Sequence, residues 1–511
     1  MTSVSHTVVS PLLPTDLIDR LRAPLAEAFT DTAVGGVLGL AGEAELARGD
    51  LTGVARRTGG GSPTETWIRL FLLGAAVPEP EAAAALAGVE VGAAIRAGLL
   101  ERTADDQLRA ALDIRPYREA DGPQWWVVSD LAADVRAGPL SPDHVLGVGA
   151  AATTLAQAVL RRPVGSALDV GTGCGVQALH LSEHADSVTV TDVSARALRA
   201  AATTAALNGL RWQFRAGSLL EPVADRRFDL VVANPPFIVG PGFAVDDGGY
   251  HYRDSGIAGD GVSARLTRGL PERLNPDGVA QLLANWAIRS EQPWQERVAD
   301  WLPSSGCDAW VWQREVADPS EYVAMWLRDA GERPGTPSWR ARYDRWLDWF
   351  EEQSVLAVGM GLINLRRTDA DHATVRCEDV GQAHAAPISP AIGEWFDRTA
   401  RLAATRDDEL LAQRLTLAPD AVLTTESLGS IDGWQPASRR LRQTGGMRWD
   451  VEVDESVASL VAACTGLAPL ALGVDLLAAS LGVAPDAART AVAPVVRDLI
   501  ERGFLLLEQP G

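Results

Sequence analysis

An α/β fold, with a mainly parallel sheet in the middle of the chain and mainly helical modules at both ends, is what this 511-residue sequence predicts. Three observations lead there. Between residues 139 and 370 short apolar segments alternate with helical stretches, as strands do when crossover helices join them in parallel. One of those segments, SALDVGTG, runs straight into a turn of spaced glycines. On either side, residues 1–138 and 371–511 carry helical patterns with few strand-like runs. The length fits such a division, since a single core rarely grows beyond about 300 residues.

In chain order, LIDRLRAPLAEAF, TETWIRLFLLGAAV and EPEAAAALAGVEVGAAIRAGLLER read as helices, and LRAALDIRPYRE with QWWVVSDL as a strand pair. This order suggests a winged-helix-like module, with Gly98 ending the last helix because glycine takes the left-handed conformation without steric cost. In the middle the strand candidates are SALDVGTG, SVTVTDVS, FDLVVANPP, GVAQLLANW, CDAWVWQ and VLAVGMGLINL. Between the last two lies a helical stretch with Trp326, Trp339, Trp346 and Trp349, readable as a cover packed on the sheet or as a wall touching substrate. Near the end, ESVASLVAACTG precedes ASLGVAPDAARTAVAPVVRDLIERGFLLL. The latter is a helix-turn-helix pattern with Leu481 to Val483 in the turn and Gly503 at the helix end, so the third module is also expected to be winged-helix-like.

Hydrophobic residues make up 47% and charged residues 22%, the balance of a folded globular chain. The formal net charge is −21 and all 46 basic residues are arginine, which excludes chemistry at a lysine amine. So acidic a chain needs a local basic patch to hold nucleic acid, and Arg439, Arg440, Arg442 and Arg448 are the candidates. Cys174, Cys307, Cys377 and Cys464 stand far apart, with no CxxC and no histidine at a ligand interval. Neither a disulfide framework nor a metal site is expected. No apolar run approaches the roughly 20 residues of a membrane span, and the start lacks a secretory pattern, so a cytoplasmic location without membrane contact is expected.

The chemistry begins at Ala167-Leu168-Asp169-Val170-Gly171-Thr172-Gly173-Cys174-Gly175. A strand followed by spaced glycines lets the backbone turn tightly and a ligand approach closely. The second strand ends on Asp192, followed by Val193, where a carboxylate can accept hydrogen bonds from both ribose hydroxyls. Together they point to a nucleoside. FDLVVANPPF then closes on Asn234-Pro235-Pro236-Phe237. An amide or arylamine nitrogen is a poor nucleophile because its lone pair is delocalised, so a site that uses one must hold both N–H groups. The Asn234 side-chain oxygen and the Pro235 carbonyl can each accept one, Pro236 stiffens the loop, and Phe237 can stack on the planar group.

With these motifs the central region resembles the Asn-Pro-Pro-aromatic methyltransferases, whose sheet is the Rossmann-like class I type. The resemblance implies S-adenosyl-L-methionine as methyl donor. It would be held by Asp169, Gly171, Thr172, Gly173, Gly175, Asp192, Val193, Ser218, Leu219 and Asn234, with Asn234, Pro235, Pro236 and Phe237 as the catalytic loop. The stretch YHYRDSGIAGDGVSARLTRGLPERLNPDGVAQLLAN, with Gly259-Asp260-Gly261, is most similar to the release-factor glutamine methyltransferase branch, which implies a protein glutamine amide as acceptor. Asp143-His144-Val145-Leu146-Gly147 and Thr153-Thr154 fall where that branch closes over the methionine end of the donor; a helix N-cap by Ser141 or Asp143 is the other reading. One departure is Gly217-Ser218-Leu219, where the branch commonly carries Gly-Asp-Leu. Other acceptors stay open: an exocyclic amine of RNA or DNA, or a small-molecule amine. A reading of another class is a non-catalytic, donor-sensing regulator that binds DNA. Oligomeric state is not legible.

Overall fold

The computed structural model describes residues 9–508 apart from 120–121, 133–134, 136–139, 243–254, 303–305, 369–372 and 432. The boundaries expected at 138 and 370, and Tyr250 to Asp254 of the quoted stretch, lie outside the described residues. By their contacts the residues form two compact units, Met1–Ala156 with Arg162–Glu378, and Gln157–Arg161 with Asp379–Gly511.

The first unit is built on an eight-stranded sheet. Its strands are β1 (Ala167–Val170), β2 (Val188–Asp192), β3 (Gln213–Ala216), β4 (Phe228–Ala233), β5 (Leu274–Arg289), β6 (Cys307–Ala317), β7 (Val355–Arg367) and β8 (Val375–Asp379). Their order across the sheet is β8-β6-β7-β5-β4-β1-β2-β3. From β3 to β5 every neighbouring pair is parallel, whereas β7 runs antiparallel to both β5 and β6. This is the Rossmann-like class I sheet. The inner strands are apolar nearly throughout because both faces are covered: all four residues of β1 and five of six in β4 are buried. All six strand segments named from the sequence lie in this sheet, and β8 extends it beyond residue 370.

Residues 15–129 of the same unit form helices, then two short hairpins. Thr15–Ala28, Asp31–Ala47, Leu51–Arg57 and Pro63–Trp67 lead to Glu79–Ala85 and Val91–Arg96. The last of these ends as expected: Gly98 has φ +75°, and the Gly98 and Leu99 amides donate to Ile95 O and Ala94 O at 3.0 Å each. The hairpin Asp113–Tyr117 with Trp125–Ser129 then packs on helix Ala195–Leu207. Asn208 at that helix's end bonds both backbone groups of Trp126, and Thr204 Oγ1 accepts from Val128 N–H at 3.0 Å. These bonds fix the approach of the chain to the carboxyl ends of the strands.

In the second unit, helices Leu470–Leu481 and Pro485–Glu501 flank Gly482, at φ +68°, where the turn was expected. Only one strand follows among the described residues, Leu505–Leu507, and it pairs with Arg414–Leu417 rather than forming a hairpin wing. A separate hairpin, Ala421–Ser430 with Gly433–Gln443, carries Arg439, Arg440 and Arg442 of the arginine cluster, and Arg448 follows it in a turn at φ +52°. Acids there engage the first three: Arg439 pairs with Glu455 at 3.3 Å, and Arg440 and Arg442 with Asp450 at 2.7 and 3.5 Å. The phosphate grip expected of these arginines therefore meets three ion pairs.

Candidate active site

β4, β1 and β2 lie side by side where the chain order across the sheet reverses, and the segments that leave them line a cavity of about 620 Å³. In open α/β sheets this switch point, outside the carboxyl ends of the strands, is where ligands bind.

One wall is the turn after β1. Gly171, Gly173 and Gly175 have φ of +71°, +54° and +89°, a region that L side chains disfavour. A Cβ on Gly175 would lie 2.7 Å from the Trp212 ring, and Trp212 is held by an Nε1–H bond to Ser182 Oγ at 2.8 Å. Gly175 thus shapes the turn from behind and does not itself line the cavity. Around Gly173, by contrast, no described atom comes within 4 Å of where a Cβ would stand, so its backbone stays approachable.

The Gly171 and Thr172 amides both donate to Thr191 O at 2.9 Å, tying the turn to β2. Gly173 N–H donates to Asp192 Oδ2 at 3.0 Å and Ser194 N–H to Oδ1 at 2.8 Å. Each carboxylate oxygen is thereby aimed by one backbone bond and keeps acceptor capacity for a ligand. Gly217 N–H bonds Asp192 O at 3.0 Å, which sets Ser218 and Leu219 beside the same carboxylate. Leu219 has φ +49°, unusual for a branched side chain, and Val193 is 57% exposed; both line the cavity as apolar lips.

Asp169 lies at the floor, 1% exposed. Thr172 Oγ1 donates to it at 2.7 Å, yet burial, with some help from the Asp192 charge, pushes its carboxyl up to about 7. β4 then delivers Asn234, Pro235, Pro236 and Phe237, all of which line the cavity, with Pro235 buried and the rest half-buried. Burial pushes the Cys174 thiol up to about 12, so this lining thiol stays neutral.

His144 to Gly147 and Gly149 to Ala152 form the remaining side. This segment is tethered: Asp130 Oδ2 accepts from Val145 N–H at 2.9 Å and from Arg196 Nε at 3.0 Å. Burial alone would raise the Asp130 carboxyl, but Arg196 and the Val145 amide outweigh it and hold it below the usual range. His144 is shifted down, chiefly by burial, and so is neutral near pH 7.

Of the residues expected at the donor, Asp169, Gly171, Thr172, Gly173, Asp192, Val193, Ser218, Leu219 and Asn234 share this one cavity. Asp143, Thr153 and Thr154 are outside its lining, as are Gly259, Asp260 and Gly261. Asp260 is a packing residue: it pairs with Arg297 at 2.7 Å and accepts from Ala287 N–H at 3.1 Å, pinning helix Gly261–Gly269 to β5. Sequence reasoning missed Gln177, Thr191, Ser194 and Asp329, all in the lining. Gln177 follows the glycine turn by two residues, a placement that could have flagged it; Asp329 had no local signal.

Residues 146–246 match the family model described as the methyltransferase small domain. The middle of this chain is an S-adenosylmethionine-dependent methyltransferase domain. Two further family models, each described as a domain of unknown function, match residues 26–111 and 393–507. The chain is 30% identical over 166 residues to "Ribosomal RNA small subunit methyltransferase C" of Salmonella newport, covering 32% of this chain and 43% of that one. It is 35% identical over 131 residues to the protein of that name in Cronobacter sakazakii, covering 25% and 36%. It thus spans less than half the length of these curated relatives. Among solved structures, the ribosomal protein L11 methylase of Lactobacillus delbrueckii subsp. bulgaricus is 26% identical, over 32% of this chain and 72% of that one, with a TM-score of 0.24. The T. Thermophilus 16S rRNA N2 G1207 methyltransferase, in complex with AdoMet and guanosine, is 18% identical over 39% and 52%, with a TM-score of 0.26.

The methyltransferase domain's lining suits its donor. Among the described residues the lining carries the carboxyls of Asp169, Asp192 and Asp329 and no arginine, which favours a ligand bearing a sulfonium and an ammonium over one bearing phosphates. Gln177 Oε1 and Thr191 Oγ1 are buried in it without a hydrogen-bond partner among the described residues, two polar atoms for a polar ligand to satisfy.

Proposed function

We propose that this protein methylates an exocyclic amine of a base in RNA. The observation that carries this reading is the placement of Asn234, Pro235, Pro236 and Phe237 in the same cavity as the glycine turn and Asp192. The names of the curated relatives supply the RNA.

When bound, S-adenosylmethionine supplies an activated methyl group on a sulfonium. The protein's part is placement. Asp192, held by two backbone amides, takes the ribose hydroxyls; Val193 and Leu219 take the faces of the adenine; Gly173 allows close approach; and Gln177 offers an acceptor to the ammonium. At the other end the Asn234 side-chain oxygen and the Pro235 carbonyl take the two N–H groups of the acceptor amine. The nitrogen lone pair is then turned out of conjugation and aimed. Phe237 stacks on the ring that carries the amine. Once methylated, the nitrogen is cationic and strongly acidic and sheds one N–H proton past the Asn234 or Pro235 oxygen to bulk water, with neutral S-adenosylhomocysteine as the other product. Orientation and desolvation account for the acceleration, and no strong base is required.

This reading departs from the glutamine amide suggested by the sequence. The same tetrapeptide can hold an amide, and of the stretch that motivated that branch Ser255 to Ile257 line the cavity while Asp260 is a packing residue; the curated relatives, however, are named for ribosomal RNA. A DNA-binding regulator is not proposed either. The arginines of its candidate helix are engaged: Arg489 with Asp475, Arg497 with Asp407 and Arg502 with Asp498, at 2.7, 2.7 and 2.9 Å. The winged-helix-like reading of the two ends remains a proposal about shape alone.

The test is transfer from tritiated S-adenosylmethionine into extract of cells lacking this protein, separated into RNA and protein, with Asn234→Ala as control. Asn234-dependent label that nuclease removes and protease leaves is the expected result. Label in protein would return the acceptor to an amide.

A further inference from the structure

The tryptophan-rich stretch divides in two. Trp339 and Trp346 are buried in a core with Tyr322, Val323 and Leu327, and Trp346 Nε1–H donates to Val239 O at 3.1 Å. Trp326 differs: it is half-buried, it lines the cavity, and its ring lies 6.2 Å from that of Phe237 at an interplanar angle of 66°. Tyr322, one turn earlier on helix Pro319–Asp329, sets this position. Its hydroxyl accepts from Val239 N–H at 3.0 Å and from Asn285 Nδ2 at 2.8 Å, fastening the helix to the backbone two residues past Phe237. Asp329, one turn later, also reaches the lining, as i and i+3 positions share a helix face.

We propose that Trp326 is a specificity-determining residue that, with Phe237, makes an aromatic corner selecting a planar heterocycle over an open-chain amide. The proposal rests on the methyltransferase reading above and narrows its acceptor. An amide is covered by one ring and leaves the second idle. A nucleobase presents a face to one ring and an edge to the other, the offset geometry that aromatic groups favour. Stacking a base on one aromatic side chain is worth about 5- to 150-fold in affinity. The Asp329 carboxylate, in a lining with no arginine among the described residues, disfavours phosphate inside, so the base enters while its phosphates stay outside.

The test uses full-length Trp326→Phe, Trp326→Leu and Trp326→Ala with tritiated S-adenosylmethionine and RNA from cells lacking the protein. Affinity for S-adenosylhomocysteine and Tm are measured alongside. Trp326→Phe should stay within about threefold of the parent, while the Leu and Ala variants lose about tenfold or more of kcat/KM, mainly through KM. S-adenosylhomocysteine affinity should stay unchanged in all three; Tm should hold in Trp326→Phe and fall in the Leu and Ala variants, which lose packing on Tyr322, so activities are compared well below each transition. If Trp326→Leu matches Trp326→Phe, apolar bulk suffices and the proposal is overturned, as it is if S-adenosylhomocysteine affinity falls in step with kcat/KM. If the parent protein labels protein and not RNA, the RNA reading fails as well, a result distinct from failure of the Trp326 assignment alone.

Discussion

At Asp169 a carboxyl raised to about 7 by burial lies in a cavity whose donor is a cation. Binding a positive charge favours the ionised form, so donor affinity should rise as pH passes upward through 7. Titration calorimetry with S-adenosylhomocysteine, whose ammonium remains but whose sulfur is neutral, should show a smaller rise; Asp169→Asn should flatten both. The sign for stability is opposite. The folded state retains a proton that the unfolded chain releases near 4, so the donor-free protein should lose stability as pH climbs from about 4 to about 7. For Asn234, loss of an acceptor that orients the reacting amine should cost on the order of 100-fold in kcat, and S-adenosylhomocysteine affinity should fall by far less, because its part at the donor is shared with Asp192 and the glycine turn. These residues were legible because each belongs to a short contiguous motif. For Trp326 the sequence left open a cover on the sheet or a wall touching substrate, and could not pair it with Phe237: 89 positions separate them, and tertiary packing alone brings them to 6.2 Å.

Among the elements, the turn after β1 and the helix after Gly259-Asp260-Gly261 make contrasting demands. Gly175 combines φ +89° with a Cβ position 2.7 Å from Trp212. Gly175→Ala should therefore lower stability by about 1–3 kcal/mol, seen as a fall in Tm, and weaken donor binding by shifting the turn. Asp260→Asn should destabilise by up to about 3 kcal/mol by breaking a largely buried pair with Arg297, yet leave kcat nearly unchanged below the unfolding transition. An equal loss of activity at both positions would contradict the distinction between cradle and scaffold. The sequence showed the glycine turn through its spacing, but it could not show that Asp260 faces Arg297, which lies 37 positions on. Nor could it show that Asp130 and Arg196 tether the segment over the cavity, because neither sits in a motif and their contact spans 66 positions. Six strands of the sheet were legible because burial on both faces leaves apolar runs; the edge strands β3 and β8 were not, as Gln213 to Ala216 and the alternation of Val375, Arg376, Cys377 and Glu378 lack such a run.

For the whole molecule, the net charge of −21 limits how the proposed RNA acceptor can be held. The arginines of the hairpin and of the last helix are paired with acids in exposed contacts, so each phosphate contact there would have to displace a carboxylate and gains less than one to an unpaired arginine. The dependence of log affinity on log salt should accordingly be shallow, with a slope no steeper than about −3, against steeper values for proteins that neutralise many phosphates. Filter binding across a salt series measures it, and a much steeper slope would point to a basic surface that this account does not contain. Identifying the product tests methylation of a base amine. RNA treated with the protein and deuterated-methyl S-adenosylmethionine would be digested to nucleosides and analysed by mass spectrometry. The expected result is a labelled nucleoside with the methyl on an exocyclic nitrogen of the base, absent with Asn234→Ala. Label confined to ribose or ring carbon, or found only on a protein amide, would contradict it.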